Sequence, residues 1–167
     1  MRTDELLAAA FDNIAGVVDS AVDGLTADQL AQAPAPGANT IAWLVWHLTR
    51  IQDDHVADVA GSEQVWTADG WARRFDLPFD DAEHGYGMAA EDAAKVRADA
   101  ELLTGYHHAV HARTKEYLAT FSDADLDRVV DTDWDPPVTL GVRLVSVVTD
   151  DLQHAGQAAY VRGLLAG

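Results

Sequence analysis

The chain carries seven histidines, at positions 47, 55, 84, 107, 108, 111 and 154, and they are its strongest chemical signal. Imidazole binds transition metals and moves protons near neutral pH. Three settings compete. In TDDLQHAGQAAYVRG (149–163), Asp150 and His154 stand four residues apart, so on a helix they lie one above the other. A carboxylate and an imidazole at that spacing can share one metal ion, or simply bond to each other. In YHHAVHARTKEY (106–117), His107 and His111 have the same spacing. The apolar face of that stretch centres on Leu103, Tyr106 and Val110, with His107 on its flank, His111 further out and His108 nearly opposite. That placement predicts a solvated histidine cluster. In IAWLVWHLTRIQDDH (41–55), His47 follows six uncharged residues, the setting of a core histidine, and His55 lies closer to the middle of the apolar stripe. Periodicity by itself does not choose among the three.

Composition narrows the chemistry. There is no cysteine among the 167 residues, which excludes disulfides, thiolate metal sites, iron–sulfur clusters and a cysteine nucleophile. Any thiol reaction here takes its sulfur from a second molecule. Acidic residues number 28 against 11 basic ones, a formal charge of −17. Such a field repels nucleic-acid backbones and anionic lipid, so neither is an expected partner. The length suits one domain spanning 1–167. The N-terminus, MRTDELLAAAFDNIAG, has no signal-type apolar run, and no stretch reaches a membrane span, so a cytoplasmic protein is expected.

Four long helical patterns must position the histidines. The first runs from about Thr3 to Val22, with Thr3 as N-cap and Gly24 as stop. Pro34, Pro36 and Gly37 make a loop before the second, about Ile41 to Ala60, capped by Asn39 or Thr40 and ended by Gly61. Residues 61–89 form a long irregular connection rich in aromatics and glycine, with one helical turn around Gly70–Phe75, expected to lie over one end of the bundle. A third helix of about Ala90 to Thr120 follows. The segment 122–139 is acidic and broken by Pro136 and Pro137, with brief pairing of Arg128–Val130 and Val138 at most. The fourth helix, about Leu140 to Leu165, is apolar almost all round in its first half, which predicts burial on several sides. The fold class is therefore all-α: a four-helix bundle with a long crossover between its second and third helices.

The order and spacing of three motifs resemble the DinB/YfiT-like metalloenzyme superfamily, which includes mycothiol-dependent maleylpyruvate isomerase. The motifs are WLVWHLTR (43–50), an aromatic crossover ending in HGYGM (84–88), and DLQHAGQAAYVRGLL (151–165). The last helix of that family shows a metal-binding residue, three others, then His and a Gly-Gln step; here these are Asp150, His154 and Gly156-Gln157. Its first ligand is an early histidine of the second helix, matching His47. The resemblance implies a divalent metal held by His47, Asp150 and His154, with zinc the first choice and nickel or another transition metal the alternative. Three protein ligands leave positions open, as catalytic sites do. Asp150 is a departure, since many relatives carry His there and the isomerase branch carries Glu; Asp151, three residues before His154, is the rival carboxylate.

The resemblance further implies transfer or isomerase chemistry on a small molecule with a low-molecular-weight thiol such as mycothiol or bacillithiol, activated at the metal. A metal-dependent hydrolase on the same ligands, or a stress-linked metal-binding protein without turnover, are the alternatives. A homodimer through helix faces is expected. Gln157 is either a partner of His154 or a helix contact. Arg50 and Arg162 either meet an anionic ligand or form surface ion pairs. Trp43, Trp46, Trp66, Trp71 and Tyr86 read as core or lid residues, one or two of them walling the pocket.

Overall fold

The computed structural model describes residues 1–166. In chain order it contains α1 (Thr3–Val22), α2 (Ala27–Leu30), α3 (Ile41–Ala60), α4 (Val65–Ala68), α5 (Trp71–Phe75), α6 (Ala90–Ala93) and α7 (Ala100–Leu118), then a 3-10 turn (Asp123–Asp127), β1 (Val129–Asp131), β2 (Val138–Thr139) and α8 (Leu140–Ala166). The four long helices form the all-α bundle. Helix α3 packs on α7 and α8, and α1 packs on the same two. The strands make one short antiparallel ladder, Val129 opposite Thr139. Among the described residues no helix is long and apolar enough to cross a membrane.

The helix ends follow local chemistry. Thr40, not Asn39, caps α3: its Oγ1 accepts the Trp43 N–H at 3.1 Å, and Gly61 closes the helix at φ 65°. At α1 the cap is Arg2 rather than Thr3; the Arg2 N–H donates to Glu5 Oε2 at 2.9 Å. The expected third helix is split. Helix α6 ends at Ala93, and α7 restarts where Asp99 Oδ1 accepts the Leu102 N–H at 2.8 Å. The end of α6 and the segment after it bury Ala93, Val96 and Ala98; on an uninterrupted helix Ala98 would face away from the other two.

Two expectations about burial fail. Val142 and Val145 are 57% and 59% exposed, so α8 is apolar on an outer face as well as an inner one and is not enclosed on several sides. And the histidines of α7 are not one solvated cluster. His108 and His111 reach out to Asp19 and Asp12 on α1, each at 2.8 Å, but His107 is wholly buried. The Thr49 hydroxyl donates to the Val45 carbonyl, so His107 Nδ1–H donates to Thr49 Oγ1 at 3.1 Å.

The crossover does not cap an end of the bundle. It lies along the seam between α3 and α7, with α4 touching both and α5 touching α7. Trp66, Phe75 and Tyr106 pack with ring centroids 5.1–5.8 Å apart. Asp53, buried on α3, ties the seam: its two oxygens accept the N–H groups of Val65 (2.8 Å) and Trp66 (2.7 Å) and the Tyr106 hydroxyl (2.8 Å).

Burial pushes the His107 imidazole down to about 3, so it stays neutral in the fold and charges in the unfolded chain. The sign follows: below the ordinary imidazole pKa of about 6.5 the unfolded state takes up a proton that the native state refuses, and stability falls with pH. Between pH 7.5 and pH 5 this one group removes about 2 kcal/mol. His107→Gln lacks that loss, so the stability gap between wild type and variant should narrow by about this amount over the interval. Urea denaturation at the two pH values measures it, and a pH-independent gap contradicts it.

Candidate metal centre

Helix α3 is buried at every residue from Ile41 to Asp53, so His47 enters the protein with no solvent to satisfy it. Its ring is stacked on Trp43, centroids 4.6 Å apart and planes at 14°. Nδ1 meets the His84 carbonyl at 2.5 Å. A carbonyl only accepts, so Nδ1 carries the proton and Nε2 keeps its lone pair free. Burial lowers the pKa of His47, which favours the neutral form that metals bind.

Helix α8 supplies the other two groups. Asp150 and His154 do share a face, with Asp150 Oδ1 3.7 Å from His154 Nε2. His154 Nδ1 donates to Gln157 Oε1 at 2.8 Å, which again leaves Nε2 as the free nitrogen. Gln157 is thus the partner of His154, one turn on. The His47 and His154 rings stand edge to face, centroids 4.8 Å apart. One ligand atom from each of His47, Asp150 and His154 lies within 4.8 Å of the others. Around a tetrahedral zinc with ligands at about 2.1 Å, neighbouring ligand atoms are about 3.4 Å apart, so only a small contraction is needed. The second oxygen of Asp150, Oδ2, is buried and has no hydrogen-bond partner. Two imidazoles with outward Nδ1–H bonds and an under-partnered carboxylate are the donor set a divalent cation takes.

The rival carboxylate has a different setting. Asp151 is wholly buried, and neither of its oxygens has a partner. Burial, reinforced by the charge of Asp150, pushes its carboxyl well above the usual range, so the neutral acid is favoured. It is not a member of the convergent group. His55 stays apart too, half-buried beside Asp54 at 3.6 Å.

The arginines do neither of the things expected of them. Arg162 donates to the carbonyls of Ala21 and Asp23, joining α8 to the end of α1. Arg50 is wholly buried and bonds into the crossover. Of the aromatics, Trp43 walls the site, Trp46 and Trp66 are core, Trp71 is half-buried against Tyr106, and Tyr86 is 81% exposed. Two contributors were missed as site residues: His84, through its main chain, and Gly85. Gly85 has φ +92°, and a Cβ there would stand 2.7 Å from His47 Nδ1. The signal was present in HGYGM, where two glycines flank an aromatic, but nothing local says which helix that turn will face.

This bundle, with its long crossover and its three donors on α3 and α8, is of the DinB/YfiT-like class. A family model for mycothiol-S-transferases matches residues 6–167, and the chain belongs to that family. A crystal structure of a conserved protein from Enterococcus faecalis is similar over 100% of this chain and 99% of the other, with a TM-score of 0.93 and 33% sequence identity. The comparison with curated proteins finds no match.

Gly85 and Gly87 make a controlled pair. Both have positive φ, +92° and +71°, but a Cβ at Gly87 meets nothing within 4 Å. Each alanine substitution should cost about 1–2 kcal/mol for the left-handed backbone. Gly85→Ala should cost more and should also displace the His47 ring. Urea denaturation and the imidazole proton NMR signals of His47 read the two effects. Equal costs with an unmoved His47 would show that the close approach is not a constraint.

Proposed function

We propose that this protein is a metal-dependent S-transferase: at His47, Asp150 and His154 a low-molecular-weight thiol of the mycothiol or bacillithiol type gives up its S–H proton to water and its sulfur bonds to an electrophilic small molecule, either adding to it or displacing a leaving group that departs with the bond electrons. The observation that carries this reading is the convergence of the three donors, each imidazole already turned by its Nδ1 partner and Asp150 Oδ2 left without one. Zinc is the first choice, with nickel or another transition metal the alternative. A divalent cation held there would lower the pKa of a bound thiol and so supply the sulfur as thiolate at neutral pH.

The residues of the chain do the rest. His47 and His154 add no charge as neutral imidazoles, and Asp150 contributes one negative charge. A dication with Asp150 and one thiolate is then electrically balanced, which suits a half-buried site. Trp43 covers His47 on one side and keeps water from that face. Without a cysteine, the protein has no thiol of its own to compete with the cosubstrate or to be oxidised in its place. A cytoplasmic setting, where small thiols are kept reduced, fits this chemistry, and the charge of −17 disfavours nucleic-acid and bilayer partners.

The reading includes a homodimer. Among the described residues of α8, the exposed ones, from Val142 and Val145 through Leu152 and Tyr160 to Leu164, include no charged side chain. On a surface this acidic, an uncharged helix face of that length is the face expected to be covered. Leu152→Asp, paired with Tyr160→Asp, should convert the dimer to monomer in light scattering at micromolar concentration. A wild-type monomer under those conditions contradicts the assembly.

For the site itself, protein made without a histidine tag should contain about one transition metal ion per chain. Asp150→Asn keeps the shape and removes the charge, and should weaken zinc binding more than about 100-fold, beyond the cost of losing an outer partner. His154→Ala should lose most of the metal. His111→Ala and Asp151→Asn should keep it. Affinity should fall as pH drops through about 6.5, because protons compete for the imidazoles. Thiol consumption with a panel of electrophiles should follow metal content across the series. Wild-type uptake in Asp150→Asn, or thiol transfer that ignores metal content, defeats the reading.

A further inference from the structure

We propose that Arg50 is a positioning residue for this centre: its buried guanidinium fixes residues 81–85 so that the His84 carbonyl holds His47 with Nε2 turned to the other donors. The proposal rests on the metal-site reading above for its purpose, and on the following geometry for its substance.

Arg50 lies one turn beyond His47 on α3 and is wholly buried. Its Nε donates to the Glu83 carbonyl at 3.1 Å and its Nη2 to the Asp81 carbonyl at 3.1 Å. Nη1 donates to Gln64 Oε1 at 2.6 Å, and the guanidinium lies 4.9 Å from the centre of the Trp66 ring. All three hydrogen-bond acceptors are neutral. The charge of Arg50 faces the buried Asp53 carboxylate on the same helix, but its hydrogen bonds are spent on these neutral acceptors. Its planar fork fixes two main-chain carbonyls, of Asp81 and Glu83, against one helix.

The rest of the segment transmits that constraint to His47. Glu83 Oε1 accepts the N–H groups of His84 at 2.9 Å and Gly85 at 2.7 Å. With the Glu83 carbonyl held by Arg50 and the following two N–H groups held by the Glu83 side chain, the peptide between His84 and Gly85 has its orientation set. Its carbonyl meets His47 Nδ1 at 2.5 Å, an approach that Gly85 makes possible. Met88, three residues on, accepts from Trp43 Nε1–H at 3.4 Å and fastens the far side of the turn to the same helix. His47 and Arg50 therefore form two ends of one clasp, closed through residues 81–85. If the clasp opens, His47 loses the acceptor that selects its tautomer, and its proton can move to Nε2, the atom the site needs bare.

Arg50→Lys keeps the charge but not the fork. Two measurements are made on this variant, once circular dichroism shows it folded. Imidazole proton–nitrogen NMR on metal-free protein identifies the tautomer of His47, and titration with Co2+ alone gives the affinity and the visible d–d absorption of the site. Wild type should show His47 protonated on Nδ1. Arg50→Lys should show a mixture or the Nε2–H form, roughly tenfold weaker Co2+ binding and an altered band. A folded Arg50→Lys with the wild-type tautomer, affinity and spectrum overturns the proposal. If that variant does not fold, Gln64→Leu, which takes away the acceptor of Nη1 but leaves the guanidinium, decides in its place, with a smaller shift in the same signals expected and no shift overturning the proposal. Should wild type bind no Co2+, the metal reading has failed, while the tautomer comparison still decides the role of Arg50.

Discussion

The structure depends on one constraint: the first half of α3 is buried on all sides and yet carries five polar side chains. Between Ile41 and Asp53 these are His47, Thr49, Arg50, Gln52 and Asp53, and none of them reaches water. Each must find a partner inside the protein, and each finds one outside α3. His47 takes the His84 carbonyl, Arg50 takes the carbonyls of Asp81 and Glu83, and Asp53 takes the first two N–H groups of α4 and the Tyr106 hydroxyl. Thr49 and Gln52 take His107 and Thr114 of α7. The crossover and α7 are thus docked by the polar demands of α3 as much as by apolar packing. The same demand turns His47 so that its second nitrogen is free.

Helix α8 divides its surface three ways. Leu144, Val147, Ala155 and Ala158 face the core. Asp150 and His154 occupy the flank next to α3, where they meet His47. The remaining face is exposed, apolar in part and uncharged throughout. A helix with a core stripe, a donor flank and a neutral outer face has little freedom to rotate, since any turn about its axis would expose the core stripe or bury charge. Arg162, bonded to the end of α1, and Arg143, paired with Asp131 before the helix, hold it at both ends.

Much of this was legible in the sequence, and the reasons differ by element. Helices α1, α3 and α8 carry long 3.6-residue patterns with recognisable stops, so their extents were readable to within a residue or two. The sequence pattern runs the third helix too long because alanine-rich segments favour helix locally, while Asp99 caps a fresh start by accepting the Leu102 N–H. The apolar stripe of α7 puts His107 on a solvated flank because a stripe drawn on one helix does not reveal that Thr49 of another helix will sit beside it. Arg50 reads from sequence as a surface or ligand-facing charge because a buried guanidinium is rare and its acceptors, main-chain carbonyls of an irregular segment, leave no mark in residue types.

What the sequence by itself determined is therefore what depends on near neighbours: four amphipathic helices, the i, i+4 alignment of Asp150 with His154, and a chemistry without cysteine. Only the tertiary structure decided that His47 rather than His55 or His107 meets that pair, that Asp150 rather than Asp151 faces it, and that the turn at Gly85 closes behind His47. The physical reason is that helical spacing sets which side chains share a face, whereas which faces meet is set by the burial of α3 and by the partners its polar groups require.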